Sequence, residues 1–334
     1  MRKRIIFACC LLLVVAVSCN NYKSKIAIKQ RNPEPKSIVI KRYERALFEV
    51  DTSNFRKEIQ NMQIEFLPFL GGDLNDEKNI KQLYDFVTDT FLIHLYKQTE
   101  KQFAQTKDLE KMLLPVVQHF NYYYHEIILP QIYTFVSGVS VQNPILTADN
   151  AIAIALDCYL GPDFEIYQQM GVPRYVCARL SPEFLGKDFA LSLYDSFIVP
   201  QRSQTDILNE MIATGKRLFF VEAIIPDISD EILLSYTPEQ LKWAQENEGK
   251  LWAFFVGEQV LYSNDYNMFR KLFADGPFTQ DFSKEAPARL GAFIGLQIIR
   301  KYAENENEFS LQRLIETFDN QKILQISRYK PKKG

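Results

Sequence analysis

Residues 130–138, PQIYTFVSG, and residues 150–161, NAIAIALDCYLG, decide the fold. Both are rich in β-branched or small apolar residues and bounded by Pro, Gly or Asn, the pattern of short strands. Ser37–Asp51, SIVIKRYERALFEVD, opens with the same β-branched alternation, so residues 38–41 supply a third strand of one small sheet. On either side the apolar period becomes helical. Ser53–Phe66 reads as a helix, and DLNDEKNIKQLYDFVTDTFLIHLYKQ as a second after the Gly71-Gly72 break. A third starts at Lys107, with Leu109, Met112, Leu113, Val116, Val117, Phe120, Tyr124 and Ile127 on one stripe. Pro115 within it predicts a kink or a second start. After Pro173, helices are expected over residues 182–198, 204–222, 237–247, 249–257, 265–273, 287–303 and 309–316. No Gly/Ser linker and no repeat divides the chain. The expectation is one α+β domain over residues 38–325, predominantly α-helical with a small β-sheet, then a basic frayed tail at 326–334.

The 334 residues carry 39 Lys+Arg against 41 Asp+Glu, and 47% are hydrophobic, which is ordinary globular composition. A disordered, collagenous or polytopic membrane chain is excluded. No basic excess marks a nucleic-acid partner. Three His and five Cys exclude a large Cys/His metal framework.

The N-terminus carries a sharper signal. Arg2, Lys3 and Arg4 precede an apolar run from Ile5 to Val17. A membrane-crossing helix needs about 20 apolar residues, so thirteen read as an export signal. The run ends in Ala16-Val17-Ser18-Cys19, similar to the lipobox of bacterial lipoproteins, with Ala16 where that box usually has Leu. On this reading residues 1–18 are removed, Cys19 is lipidated, and residues 19–37 are a polar tether. Removal leaves 36 basic against 41 acidic residues, so the lipid, not charge, is the expected membrane anchor. Asn20 rather than Asp after Cys19 favours the outer membrane. Cys158 and Cys177 remain, and the apolar surroundings of Cys158 favour two free thiols over a disulfide.

Catalytic patterns fail in turn. His94, His119 and His125 lack the i, i+4 spacing of H-E-x-x-H, so no zinc site is expected. No G-x-S-x-G elbow surrounds Ser137-Gly138, and Gly215-Lys216 lacks the rest of a phosphate loop. No cofactor is implied. Paired carboxylates for glycoside chemistry depend on spatial separation and stay open.

Two carboxylates are unusual. On the helix after Thr205, Gly215 and Glu222 fall within the stripe of Ile207, Leu208, Met211, Ile212, Leu218 and Phe219. The expectation is that they turn toward the sheet, with Asp157 pointing inward from the neighbouring strand. Such carboxylates are either satisfied core groups or a polar cleft. Gly249 fits a helix C′ position, Pro287 a first helical turn, and Gly291 and Gly295 a smooth face for another helix.

The lipobox, IYTFVSG, IALDCYLG, MIATGKRLFFVEAIIPD, YTPEQLKWAQENEGKLWAFFVGEQVLYSND and DGPFTQDFSKEAPARLGAFIGLQIIRKY occur in this order. Together they resemble the gliding motility-associated lipoprotein GldB family of Bacteroidota, over essentially the whole chain. The resemblance implies a lipid-anchored envelope protein working with the gliding and secretion machinery. That family is in turn distantly similar to zincin-type peptidases, which have an edge strand, an H-E-x-x-H helix and a later helix with a third ligand. IALDCYLG, DFALSLYDSFIVP and NEMIATGKRLFF follow that order, but DFALSLYDS holds no His, and Thr214 precedes Gly215 where the ligand Glu would stand. The implied reading is a degenerate zincin-like peptidase domain, non-catalytic, binding protein or peptide. The alternatives are an envelope hydrolase using carboxylates such as Asp157 or Glu222, and a ligand-binding lipoprotein for import, which would need two lobes.

Overall fold

Four strands, one more than the sequence pattern announces, build a mixed sheet in the order β1-β2-β4-β3. They are β1 (Ile40–Arg42), β2 (Gln131–Phe135), β3 (Ile145–Ala148) and β4 (Ala151–Ala155). β1, β2 and β4 are parallel, and β3 returns antiparallel along β4. The computed structural model describes residues 34–198, 206–257, 259–279 and 282–331. The expected export signal, Cys19 and the tether up to residue 33 lie outside the described residues, as do residues 332–334.

Every residue of β4 is buried. Ile132, Ile152 and Ile154 face the main helical core, while Tyr133 and Ala151 face a second cluster around Tyr43, Phe55 and Phe66. Helices thus cover both faces, as parallel strands require. IALDCYLG was expected to supply an edge strand; its β4 is interior, and β3 is the edge. β3 escaped the sequence reading because an edge strand is half-solvated: Leu146 is 50% exposed, and a Pro and a two-residue turn bound four residues.

Between β1 and β2 run α1 (Tyr43–Phe48), α2 (Phe55–Met62), α3 (Glu77–Thr88), α4 (Thr90–Gln102) and α5 (Thr106–Tyr123). The single helix expected after Gly72 is α3 plus α4. Asp89 is extended and caps the N–H groups of Phe91 and Leu92, starting a new helix. Pro115 lies inside α5 without ending it. A buried network ties α1 to α4: Arg42 pairs with Glu44, donates to Glu100 at 2.8 Å, and meets the Phe103 carbonyl.

After β4 come α6 (Pro182–Leu193), which widens into a π turn over Tyr194–Ile198, and α7 (Ile207–Ile224). Then follow α8 (Asp230–Leu234), α9 (Pro238–Glu246), α10 (Glu248–Gly257), α11 (Tyr266–Phe273), α12 (Leu290–Asn305), α13 (Leu311–Glu316) and α14 (Asn320–Ser327). Three local expectations are corrected. Gly249 lies within α10, because Asn247 already ends α9. Pro287 precedes α12, which starts after left-handed Arg289 (φ 57°); the Pro287 and Ala288 carbonyls accept from the Thr279 and Tyr236 hydroxyls, and the Arg289 side chain reaches the Leu234 carbonyl. The basic C-terminal run is docked at its start: Tyr329 is buried, donates to Glu248 at 2.6 Å and packs edge-on against Trp252.

α7 and α12 form the most extensive helix contact. A Cβ on Gly295 would overlap the Met211 carbonyl, and one on Gly215 would overlap the Gly295 carbonyl. Small residues on both helices let the backbones touch. Gly215 therefore faces α12 and not the sheet, contrary to the sequence expectation. Gly291 is as tight, against the ring of Phe273.

Candidate functional site

Asp157 and Glu222 do not share a cleft. Asp157 sits in a 3-10 turn just past β4, fully buried. It accepts from the Ser137 N–H at 2.9 Å, the Val139 N–H at 2.7 Å and the Ser137 hydroxyl at 3.1 Å. Burial pushes its carboxyl above the usual range, and the two backbone N–H groups oppose that. Its work is local: it holds a turn in which Gly138 (φ 75°) and buried Val139 (φ 70°) are both left-handed. Glu222 is 1% exposed and turned to α12, where Arg300 grips both oxygens at 3.0 Å. Arg300 also donates to Asp230 at 3.0 Å, which fastens α8 to the α7–α12 pair. Both carboxylates are satisfied structural groups, as a buried charge requires.

A polar cleft of about 750 Å³ lies elsewhere, along the open side of β3. Ile145, Leu146 and Thr147 form one wall, and Asp188, Leu191, Ser192 and Asp195 of α6 and its π turn form the floor. The hydrogen bond from Ala155 N to Pro144 O at 2.8 Å sets the ladder. Residues 144 and 155 are opposed in the register that pairs Ile145 with Ile154. Bonded pairs alternate in an antiparallel ladder, so Leu146–Ala153 and Ala148–Ala151 are the next bonded pairs. The N–H and C=O groups of Ile145 and Thr147 therefore point away from β4, to the open edge. These are the groups an added strand would use.

The cleft ends are charged. Arg217 closes one by gripping Asp195, with Nε at 2.8 Å. At the other, Arg179 (2.6 Å) and Arg289 (3.3 Å) share Asp275. Burial raises the Asp275 carboxyl, but the Arg179 hydrogen bond and the charges of Arg289, Arg179 and Lys187 hold it below the usual range. Lys187 lies between them, 5% exposed, with Nζ 2.6 Å from the Ser235 hydroxyl and 3.6 Å from Asp188. Burial lowers its ammonium to about 8; Asp188 opposes the shift, and Arg289, Arg179 and Arg217 reinforce it. Within the β3 cleft three cations thus meet two carboxylates at this end, while Glu183 and Glu231 line the cleft that adjoins it. A second cleft of about 480 Å³, beside Ser235 and Tyr236, joins the first at Arg179, Asp275 and Arg289.

Sequence reasoning missed these residues. Lys187 left a signal: it lies three positions from Phe184 and three from Ala190, inside the apolar stripe of α6. A charge there must be satisfied or put to use. The convergence of Arg179, Asp275 and Arg289 from distant segments left none. Of the three His, His119 meets the Ile224 carbonyl through Nδ1 at 2.7 Å, and exposed His125 lies 3.6 Å from Glu126. Cys158 and Cys177 are both buried free thiols. Among the described residues, no group of three His, Cys, Asp or Glu is arranged to hold a metal ion, and no helix is long and apolar enough to cross a membrane.

The family model for gliding motility protein GldB matches residues 23–331. No curated protein and no solved structure matches the chain. With nearly its whole length matched, the chain belongs to the GldB family, that of a gliding motility-associated lipoprotein.

Proposed function

We propose that this GldB family member serves gliding motility as a lipid-anchored, non-catalytic protein that binds an extended segment of a partner in the gliding and secretion machinery. Cys19 carries the lipid, at the outer membrane, and the cleft beside β3 takes the segment. One observation carries the reading: the outward N–H and C=O groups of Ile145 and Thr147 line a groove large enough for a second strand. A segment pairing there would gain up to four backbone hydrogen bonds, with alternate side chains over the α6 floor. The surplus cation near Lys187 favours a partner with an acidic group at that end. The helix that lines the groove, Asp188 onward, is the one that the peptidase likeness would make catalytic. A binding groove kept without the metal ligands accounts for both. Asp157 and Glu222, the carboxylates named for a hydrolase, are each engaged outside this cleft.

Thr147→Pro tests the proposal. It removes an outward N–H and no ladder bond, which an edge strand tolerates. Pull-downs of the lipidated protein from native envelopes should recover a gliding or secretion component with the parent chain and lose it with this variant. Equal recovery would refute pairing at β3.

A further inference from the structure

The described chain begins at a different groove, of about 640 Å³, whose lining includes Glu34, Pro35, Val39, Tyr122, Ile128 and Leu129. Its apolar side chains stand out. Ile128 is 92% exposed, Val39 64% and Tyr122 44%. Single exposed apolar residues are commonplace. Here several share one groove, at the point where the chain arrives from the expected anchor.

Charge is distributed unevenly about this point. Residues 20–37 hold Lys23, Lys25, Lys29, Arg31 and Lys36 against Glu34 alone. Residues 38–334 hold 31 basic against 40 acidic residues. An anionic surface would attract the tether and repel most of the body, so it favours the orientation that puts the tether side down. Distance agrees. Fifteen residue steps separate Cys19 from Glu34, a reach of at most about 50 Å of extended chain. The groove is thus within reach of any bilayer that holds the lipid.

We propose that this groove is a lipid-facing surface. Ile128, Val39 and the Tyr122 ring enter the headgroup boundary. Protruding side chains suit insertion, whereas a peptide groove would shelter its apolar lining. The proposal rests on the Cys19 anchor, yet it can be tested without it. Docking would fix which way the β3 cleft is presented.

The test uses the mature chain with Cys19→Ser, so that no acyl chain contributes. It is sedimented with phosphatidylethanolamine–phosphatidylglycerol vesicles and with phosphatidylcholine vesicles. Binding to the anionic vesicles, weaker binding to the neutral ones, and a fall of about tenfold on Ile128→Asp with Val39→Asp are expected. Both side chains are exposed, so the fold should be unaffected, and an unchanged melting temperature checks it. No sedimentation with either vesicle would overturn the proposal. So would equal sedimentation of parent and variant, which would mean that the tether binds alone. Failure of the anchor itself shows separately, as an unmodified Cys19 in the native protein.

Discussion

Lys187→Met should make the protein more stable at neutral pH and less stable in alkali. Burial in the folded protein lowers the Lys187 ammonium to about 8, from an ordinary lysine value of 10.5. Lowering a pKa by one is worth about 1.4 kcal/mol, so keeping this lysine charged in the folded state costs about 3 kcal/mol at neutral pH. Between the folded and unfolded values the unfolded chain binds more protons, so stability rises with pH across that window. Above the unfolded value the lysine is neutral in both states and the penalty is gone. Met fills similar volume without a charge, and forgoes the Ser235 hydrogen bond, worth about 1 kcal/mol. The variant should therefore be about 2 kcal/mol more stable at neutral pH and about 1 kcal/mol less stable at a pH above about 10.5. For a domain of about 300 residues, a swing of about 3 kcal/mol corresponds to about 5 °C in Tm. Paired urea or thermal melts at both pH values measure it. Taking the difference between variant and parent cancels Lys216, which burial also lowers to about 8. A difference that stays constant with pH would refute the burial argument. Such a penalty also marks Lys187 as a residue kept for use: the stabilised variant should lose partner binding.

Gly295→Leu should destabilise by more than the usual overpacking range of about 1–3 kcal/mol, because the obstacle is the Met211 backbone; an unchanged Tm would show that the α7–α12 face is open. Arg300→Met should cost about 3–5 kcal/mol by removing the charge that grips both oxygens of buried Glu222, and adding Glu222→Gln should recover part of it, both read from urea midpoints. Mass spectrometry of the mature protein should find an acylated Cys19 with residues 1–18 gone, and a retained Met1 would contradict the anchor.

Much of the fold was legible because local pattern and burial agreed. β2 and β4 are short β-branched runs, and α6, α7, α9, α11 and α13 fall close to their expected bounds. Errors came where a side chain overrode the pattern. Asp89 capped a new helix inside a continuous period, and the Thr279 and Tyr236 hydroxyls took the Pro287 and Ala288 carbonyls ahead of α12. Asp157 and Glu222 stand out in the sequence as polar residues on apolar stretches, and both are buried. Their partners were not visible, because Ser137 is 20 residues from Asp157, and Arg300 is 78 from Glu222. The candidate site was least legible. It is made of an edge strand with weak periodicity and cations gathered from residues 179, 187 and 289. Only the misplaced charge of Lys187 could have pointed to it.

Partner pairing at β3 is tested most directly by photocrosslinking in living cells. A benzophenone side chain at Leu146, exposed on the edge strand, samples the cleft, and one at Tyr84, exposed on α3, serves as control. Pairing predicts an adduct from position 146 alone, mapping to one extended segment of a gliding or secretion component and lost with Thr147→Pro. No adduct at position 146, or the same adduct with Thr147→Pro, would contradict it.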